Sequence, residues 1–228
     1  MNSQFDRHAR TYDDDLNRAL SISGEDKQFF ARRRIAFLSS CLRRLGEVPR
    51  SAIDYGCGTG DTARLLASRL RLGSVIGIDV SVESLNIARS LHGNVSCQFL
   101  EPRDYIPEGT IDLAYCNGVF HHVLESERGA ALSYIHQSLR PGGIFAFWEN
   151  NPVNPGTRYV MSRCEFDHDA VPVSSENAKT LLAENGFQII AVNFLFVFPR
   201  FLRVFRSLER YVSRLPFGAQ YQVLCRKV

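Results

Sequence analysis

The stretch "AIDYGCGTGD", Ala52 to Asp61, sets an acid and three glycines at the end of a short apolar run, just before a helix-like segment. Glycines in such a place let a ligand come close to the backbone. Their spacing is Gly56, Gly58, Gly60, and Asp61 stands where a dinucleotide GxGxxG fingerprint has its third glycine. An acid at the start of a helix opposes the pyrophosphate that the N-terminal dipole otherwise attracts. A cationic ligand meets no such opposition. Asp79, in "VIGIDVS", ends the next apolar run at about the separation from which an acid bonds ribose hydroxyls in βαβ nucleotide sites. By itself Asp79 also suits a helix cap, since "DVSVES" reads as a helix start. Together the residues point to a nucleoside without phosphates.

Two further groups carry chemistry. His121 and His122 follow the apolar run "IDLAYC", and a neutral imidazole near pH 7 suits a general base. A packing or helix-capping role for either histidine stays open. The segment "RYVMSRCEFDHDA" contains Arg158 and Arg163, candidates to hold an anionic substrate, and Asp167, His168 and Asp169. A histidine between two acids has metal-ligand character, but with no second cluster in view the expectation is solvated loop charge and no metal.

The elements that position these residues follow from periodicity. Residues 27–45 repeat apolar side chains at helical spacing, and Gly46 and Pro49 end that helix. Strands are expected near Ala52–Tyr55, Val75–Asp79, Ser96–Leu100, Ile111–Cys116 and Ile144–Trp148, with helices near Asp61–Arg71, Val82–Leu91 and Glu125–Arg140. Apolar strands joined by helices imply an α/β fold with a parallel sheet covered on both faces. Past Asn150, a helix over about Ser174–Asn185 precedes the run "FQIIAVNFLFVF", and the chain finishes on the alternating "AQYQVLCRKV". At 100° per residue, 200–215 would form an amphipathic helix with Phe201, Val204, Phe205, Leu208, Tyr211, Val212 and Leu215 opposite five arginines. Such a helix either packs on the domain or rests on an anionic membrane or a lipid-linked substrate.

A chain of 228 residues with 45% hydrophobic content buries a full core in one domain. Its formal charge of +3, with no basic block, argues against nucleic acid as a partner. Six cysteines without a CxxC pair indicate neither a disulfide framework nor a zinc site, and fit reduced thiols in the cytoplasm. The polar N-terminal stretch lacks the apolar core of a signal peptide, and no run is long enough to span a bilayer.

"IDYGCGTGD" followed by "GIDVS" resembles the first two cofactor motifs of class I S-adenosylmethionine-dependent methyltransferases. "IDLAYCNGVFHHV" and "LRPGGIFAF" are similar to later segments of the small-molecule members, including the ubiquinone/menaquinone type, in the same order. The resemblance covers about Ser51–Phe147. It implies a Rossmann-like, doubly wound, mainly parallel seven-stranded sheet whose last strand is antiparallel, with N-terminal helices and a helix inserted before that strand. Residues 1–48 would form a lid, 49–150 the cofactor core, and 151–228 the substrate side. It implies further that Asp54, Gly56, Gly58 and Gly60 form the loop around the methionine part, that Asp79 holds the ribose, and that Asn117 lies near the methionine end. The adenine acid of the family falls on Pro102 here, so Glu101 or Asp104 would substitute. By the same likeness Tyr12 and Arg10 are lid residues, Tyr12 touching the substrate. The activity implied is methyl transfer from S-adenosylmethionine, leaving S-adenosylhomocysteine, to a small or lipid-linked acceptor, with oxygen the expected atom and carbon or nitrogen the alternatives. A non-catalytic S-adenosylmethionine-binding regulator and an NAD(P)-dependent oxidoreductase are the rival readings.

Overall fold

The structure is a computed structural model that describes residues 12–94, 96–164, 167 and 169–228. Two helices open it, α1 (Tyr12–Leu20) and α2 (Lys27–Leu45). The Asp26 carboxylate accepts from the Phe29 amide at 2.7 Å to start α2, and Gly46 closes it at φ 72°. Strand and helix then alternate through β1 (Ser51–Tyr55), α3 (Asp61–Leu70), β2 (Ser74–Ile78), α4 (Val82–His92), β3 (Cys97–Leu100), β4 (Ile111–Asn117), α5 (Glu125–Ser138) and β5 (Leu139–Asn150). The rest comprises α6 (Pro155–Met161), α7 (Ser175–Glu184), β6 (Phe187–Leu195), a short α8 (Glu209–Val212) and β7 (Gln220–Lys227).

The seven strands lie in the order β3-β2-β1-β4-β5-β7-β6, with β7 antiparallel to both neighbours. Alternation along each strand divides the core. Leu113, Tyr115, Ala146 and Trp148 pack with Ile35 and Leu38 of α2 and Leu66 of α3. Ala114, Cys116, Phe145 and Phe147 face the other way, against Leu132 and Ile135 of α5 and Leu182 of α7. The strand order reverses between β1 and β4, so the carboxyl ends of these strands open a crevice.

Two segments depart from the sequence expectations. β5 runs on to Asn150, because β7 pairs with it as far as Asn150–Gln220 and holds the extra residues extended. The 200–215 segment is not an amphipathic α-helix. Arg200–Leu208 winds as a 3₁₀ turn series broken at Leu202, and only Glu209–Val212 is α-helical. A buried Glu209 carboxylate accepts from the Val197 amide at 3.0 Å and meets Arg33 at 2.7 Å, while Arg206 pairs with Glu25 at 2.9 Å. These ties fasten the segment to Glu25 and to Arg33 of α2. The tighter winding removes the single packed face, and Phe201, Val204, Tyr211 and Phe217 stay 60–77% exposed. No described helix is long and apolar enough to cross a membrane.

Candidate functional site

The crevice at the switch point is a cavity of about 710 Å³, lined by Asp54, Gly58, Asp79, Pro102, Asn117 and Tyr134 among others. That size suits a cofactor-sized molecule. Gly56 has φ 77°, and a Cβ there would stand 2.2 Å from Val119 Cγ2, so only glycine fits the turn. At Gly58 a Cβ would meet nothing within 4 Å, which leaves that stretch of backbone open to a ligand.

The loop is not a phosphate cradle. The Gly56 and Cys57 amides donate to the Ile78 carbonyl at 2.7 and 3.0 Å, the Gly60 amide donates to Cys57, and the Gly58 amide donates to the Asp79 carboxylate at 2.8 Å. An anion would find these donors already committed. Asp61, expected to repel phosphate, is itself answered by Lys27 and His92 at 3.0 Å each. Burial alone would raise its pKa, and Lys27 and His92 reverse that and lower it. Beyond Asp61, the acids of the cavity are Asp54, Asp79 and Glu127.

Asp54 is 2% exposed, and its Oδ2 has no hydrogen-bond partner. Burial, reinforced by the nearby Asp79 charge and opposed by Arg34, pushes its pKa from 3.8 up to about 7. The Asn117 side-chain oxygen, at the end of β4, is likewise buried and unpartnered. A carboxylate held near neutrality beside a vacant acceptor, over amides already spent, fits a positively charged nucleoside such as S-adenosylmethionine. Asp54, Gly56, Gly58, Asp79 and Asn117 all line this cavity. Gly60 does not; a Cβ there would press on Phe99 at 2.8 Å, so it permits helix α3 to close on β3.

The substitutes expected at the adenine end do not reach the cavity. Glu101, half-buried before a 3₁₀ turn over Pro102–Asp104, pairs with Arg103 at 2.9 Å, and Asp104 is exposed. Pro102 forms the wall instead, fixed by the Tyr134 hydroxyl donating to its carbonyl at 3.1 Å.

A second cavity of about 330 Å³ adjoins the first. Its walls are largely apolar, from Leu20, Phe29, Phe30, Met161, Phe196 and Phe198, and its polar groups include Arg34, His121, His122 and Asp167. Arg158 and Arg163 are exposed and do not line it, since α6 turns its Thr157 and Val160 side inward. Arg34 is the basic group at this place. It is 6% exposed on the buried stripe of α2, and it donates to the Tyr115 hydroxyl at 3.1 Å and to Gln220 at 2.8 Å. An arginine in phase with Ala31, Ile35 and Leu38 was the signal in the sequence. Leu16 of α1 lines both cavities, as a lid would; the side chain of Tyr12 and all of Arg10 lie outside the described residues.

His121 and His122 sit side by side in the turn after β4, ring centroids 4.1 Å apart. His121 Nδ1 meets Glu149 at 2.6 Å, and its Nε2 faces Asp167 at 3.4 Å. Burial alone would lower its pKa, but the two carboxylates raise it to about 10. With a carboxylate at each ring nitrogen and a proton held that tightly, His121 is not placed as a base at neutral pH. His122 lines both cavities.

A family model for a methyltransferase domain matches residues 52–143. A trans-aconitate 2-methyltransferase of Methylobacterium radiotolerans is 34% identical over 44% of this chain and 38% of its own length. An O-methyltransferase of Pyrenophora dematioidea is 28% identical over 65% of this chain and 58% of its own. The chain thus spans roughly four to six tenths of these curated relatives. Among solved structures, an S-adenosylmethionine-dependent methyltransferase from Mesorhizobium loti superposes with a TM-score of 0.60 at 21% identity, over 82% of this chain and 96% of its own. Residues 52–143 match a methyltransferase domain, and the seven-stranded sheet has the fold of the solved S-adenosylmethionine-dependent methyltransferase.

Proposed function

We propose that the protein transfers a methyl group from S-adenosylmethionine to an oxygen of a small, mostly apolar acceptor. The observation that carries this is the pairing of two adjoining cavities. One offers acids, with the Gly56, Cys57, Gly58 and Gly60 amides already donating within the protein; the other is largely apolar with polar groups among its walls. When bound, the cofactor supplies a methyl group already activated on a sulfonium, so the protein's share is mainly positioning. Asp79 would hold the ribose hydroxyls, while Asp54 and Asn117 would meet the positively charged end. The apolar walls would exclude water, and Arg34 would hold a carboxylate or other anionic end of the acceptor. His122 would take a proton from an acceptor that must lose one. The relative named as an O-methyltransferase supports oxygen as the receiving atom, and the one named for trans-aconitate supports a small acceptor.

The exposed Phe201 lines the apolar cavity, and Val204, Tyr211 and Phe217 are exposed further along the chain, with Arg203, Arg210 and Arg214 exposed among them. This supports an acceptor drawn from an anionic lipid surface on which that stretch rests. The committed loop amides count against an NAD(P)-dependent reading. Calorimetric titration should show S-adenosylmethionine binding and no NAD(P) binding; the reverse would sink the proposal. Methyl-labelled cofactor offered with a panel of small carboxylic acids and phenols should label an oxygen. Cofactor binding with no label moved to any acceptor would favour the regulator.

A further inference from the structure

His121, His122 and Asp167 converge in a way that methyl transfer does not call for. Glu149 accepts from the Phe120 amide at 2.7 Å and meets His121 Nδ1 at 2.6 Å, so it fixes the ring and aims Nε2 away from itself. That Nε2 lies 3.4 Å from Asp167 Oδ1, and His122 Nε2 lies 3.3 Å from the same oxygen. All three donors fall within 4.8 Å of one another. The Asp167 oxygen is buried, with no hydrogen bond of acceptable geometry. Two donors on one tetrahedral zinc, each about 2.1 Å from it, stand about 3.4 Å apart.

The loop bearing Asp167 is fastened beside these histidines. The Val171 amide donates to the His121 carbonyl at 2.8 Å, and Arg128 donates to the carbonyls of Phe120, Val123 and Val171 at 3.1 Å each.

We propose that His121, His122 and Asp167 bind one divalent first-row transition-metal ion, with Glu149 orienting His121 from behind. Two imidazoles and one carboxylate suit zinc, iron or cobalt better than magnesium, and a carboxylate behind a ligating histidine is a common support. Three protein donors leave coordination positions vacant, and the cluster borders the apolar cavity. An oxygen of the acceptor would complete the shell, and His122, its Nε2 then held by the ion, would no longer serve as the base; that clause alone rests on the methyl-transfer reading.

Chelator-treated protein, free of cofactor, would be titrated with Zn²⁺ and with Co²⁺. One ion per chain should bind at micromolar concentration, the Co²⁺ form showing the absorption of a low-coordinate site. Glu149→Gln should weaken binding about 10- to 100-fold, as outer-shell changes do, and Asp167→Asn or His122→Gln should weaken it more. In the unaltered protein, nitrogen NMR should show the Nε2 signals of two histidines moving on Zn²⁺ addition, a readout that needs no variant to fold. No stoichiometric binding, still histidine signals, or variants that bind as well as the parent would each overturn the site. S-adenosylmethionine affinity, measured separately, tests the methyl-transfer reading and not this one.

Discussion

Asp54 makes the residue-scale case that a cavity can be tuned for charge without a single ion pair to its ligand in place. Its carboxyl stands at about 7 in the folded chain against 3.8 for an unperturbed group. The unfolded chain gives up this proton first, so the group's contribution to stability is full below about pH 4 and is lost as pH rises to about 7. A cationic ligand favours the ionised form, so binding should release a proton below pH 7 and none well above it. Calorimetry of S-adenosylmethionine binding in buffers of different ionisation enthalpy would show this, and Asp54→Asn should abolish the release; a proton count unchanged in that variant would assign it elsewhere. Gly56→Ala should cost about 1–3 kcal/mol in chemical unfolding, through positive φ and the Val119 contact, and should remove cofactor binding. Asp54 and Gly56 were legible in the sequence because a short loop motif carries them. Glu149 was not, although a lone acid in "IFAFWEN" was visible, because its meaning depends on a histidine 28 positions earlier.

Between elements, the region after Asn150 decides how the site is enclosed. The strand and helix pattern of the core could be read from alternation and helical spacing, since each β-α unit is local and its packing repeats the same rule. The 200–215 segment was misread because the wheel assumed one winding for the whole stretch. The chain instead winds as 3₁₀ up to Leu208 and as α-helix only over Glu209–Val212, with tertiary ties at Arg33–Glu209 and Glu25–Arg206. Within and after that stretch, Phe201 and Phe217 are 77% and 60% exposed and have little packing to lose. Replacing Phe201 and Phe217 together with Ser should therefore leave the melting temperature nearly unchanged, since exposed sites contribute within about 0.5 kcal/mol each. Flotation with anionic liposomes should fall in the same variant. Equal flotation, or no flotation of the parent at moderate salt, would remove the membrane contact.

Across the whole molecule, burial governs the thiols. All six cysteines are buried. Burial raises the pKa of Cys41, Cys57, Cys97, Cys116 and Cys225, which disfavours the reactive thiolate. A thiol-specific reagent should label none of the six in the folded protein and all six in denaturant; rapid labelling of any one would mark a local opening. The joint wall of the two cavities has another consequence. Lys27, Arg34, Asn117, Gly118 and His122 border both spaces, so the two meet at these residues. A single compound that tethers an adenosine to an acceptor mimic could occupy both at once. Its second half would bind at the millimolar effective concentration set by a short link, and its affinity would exceed that of either half alone.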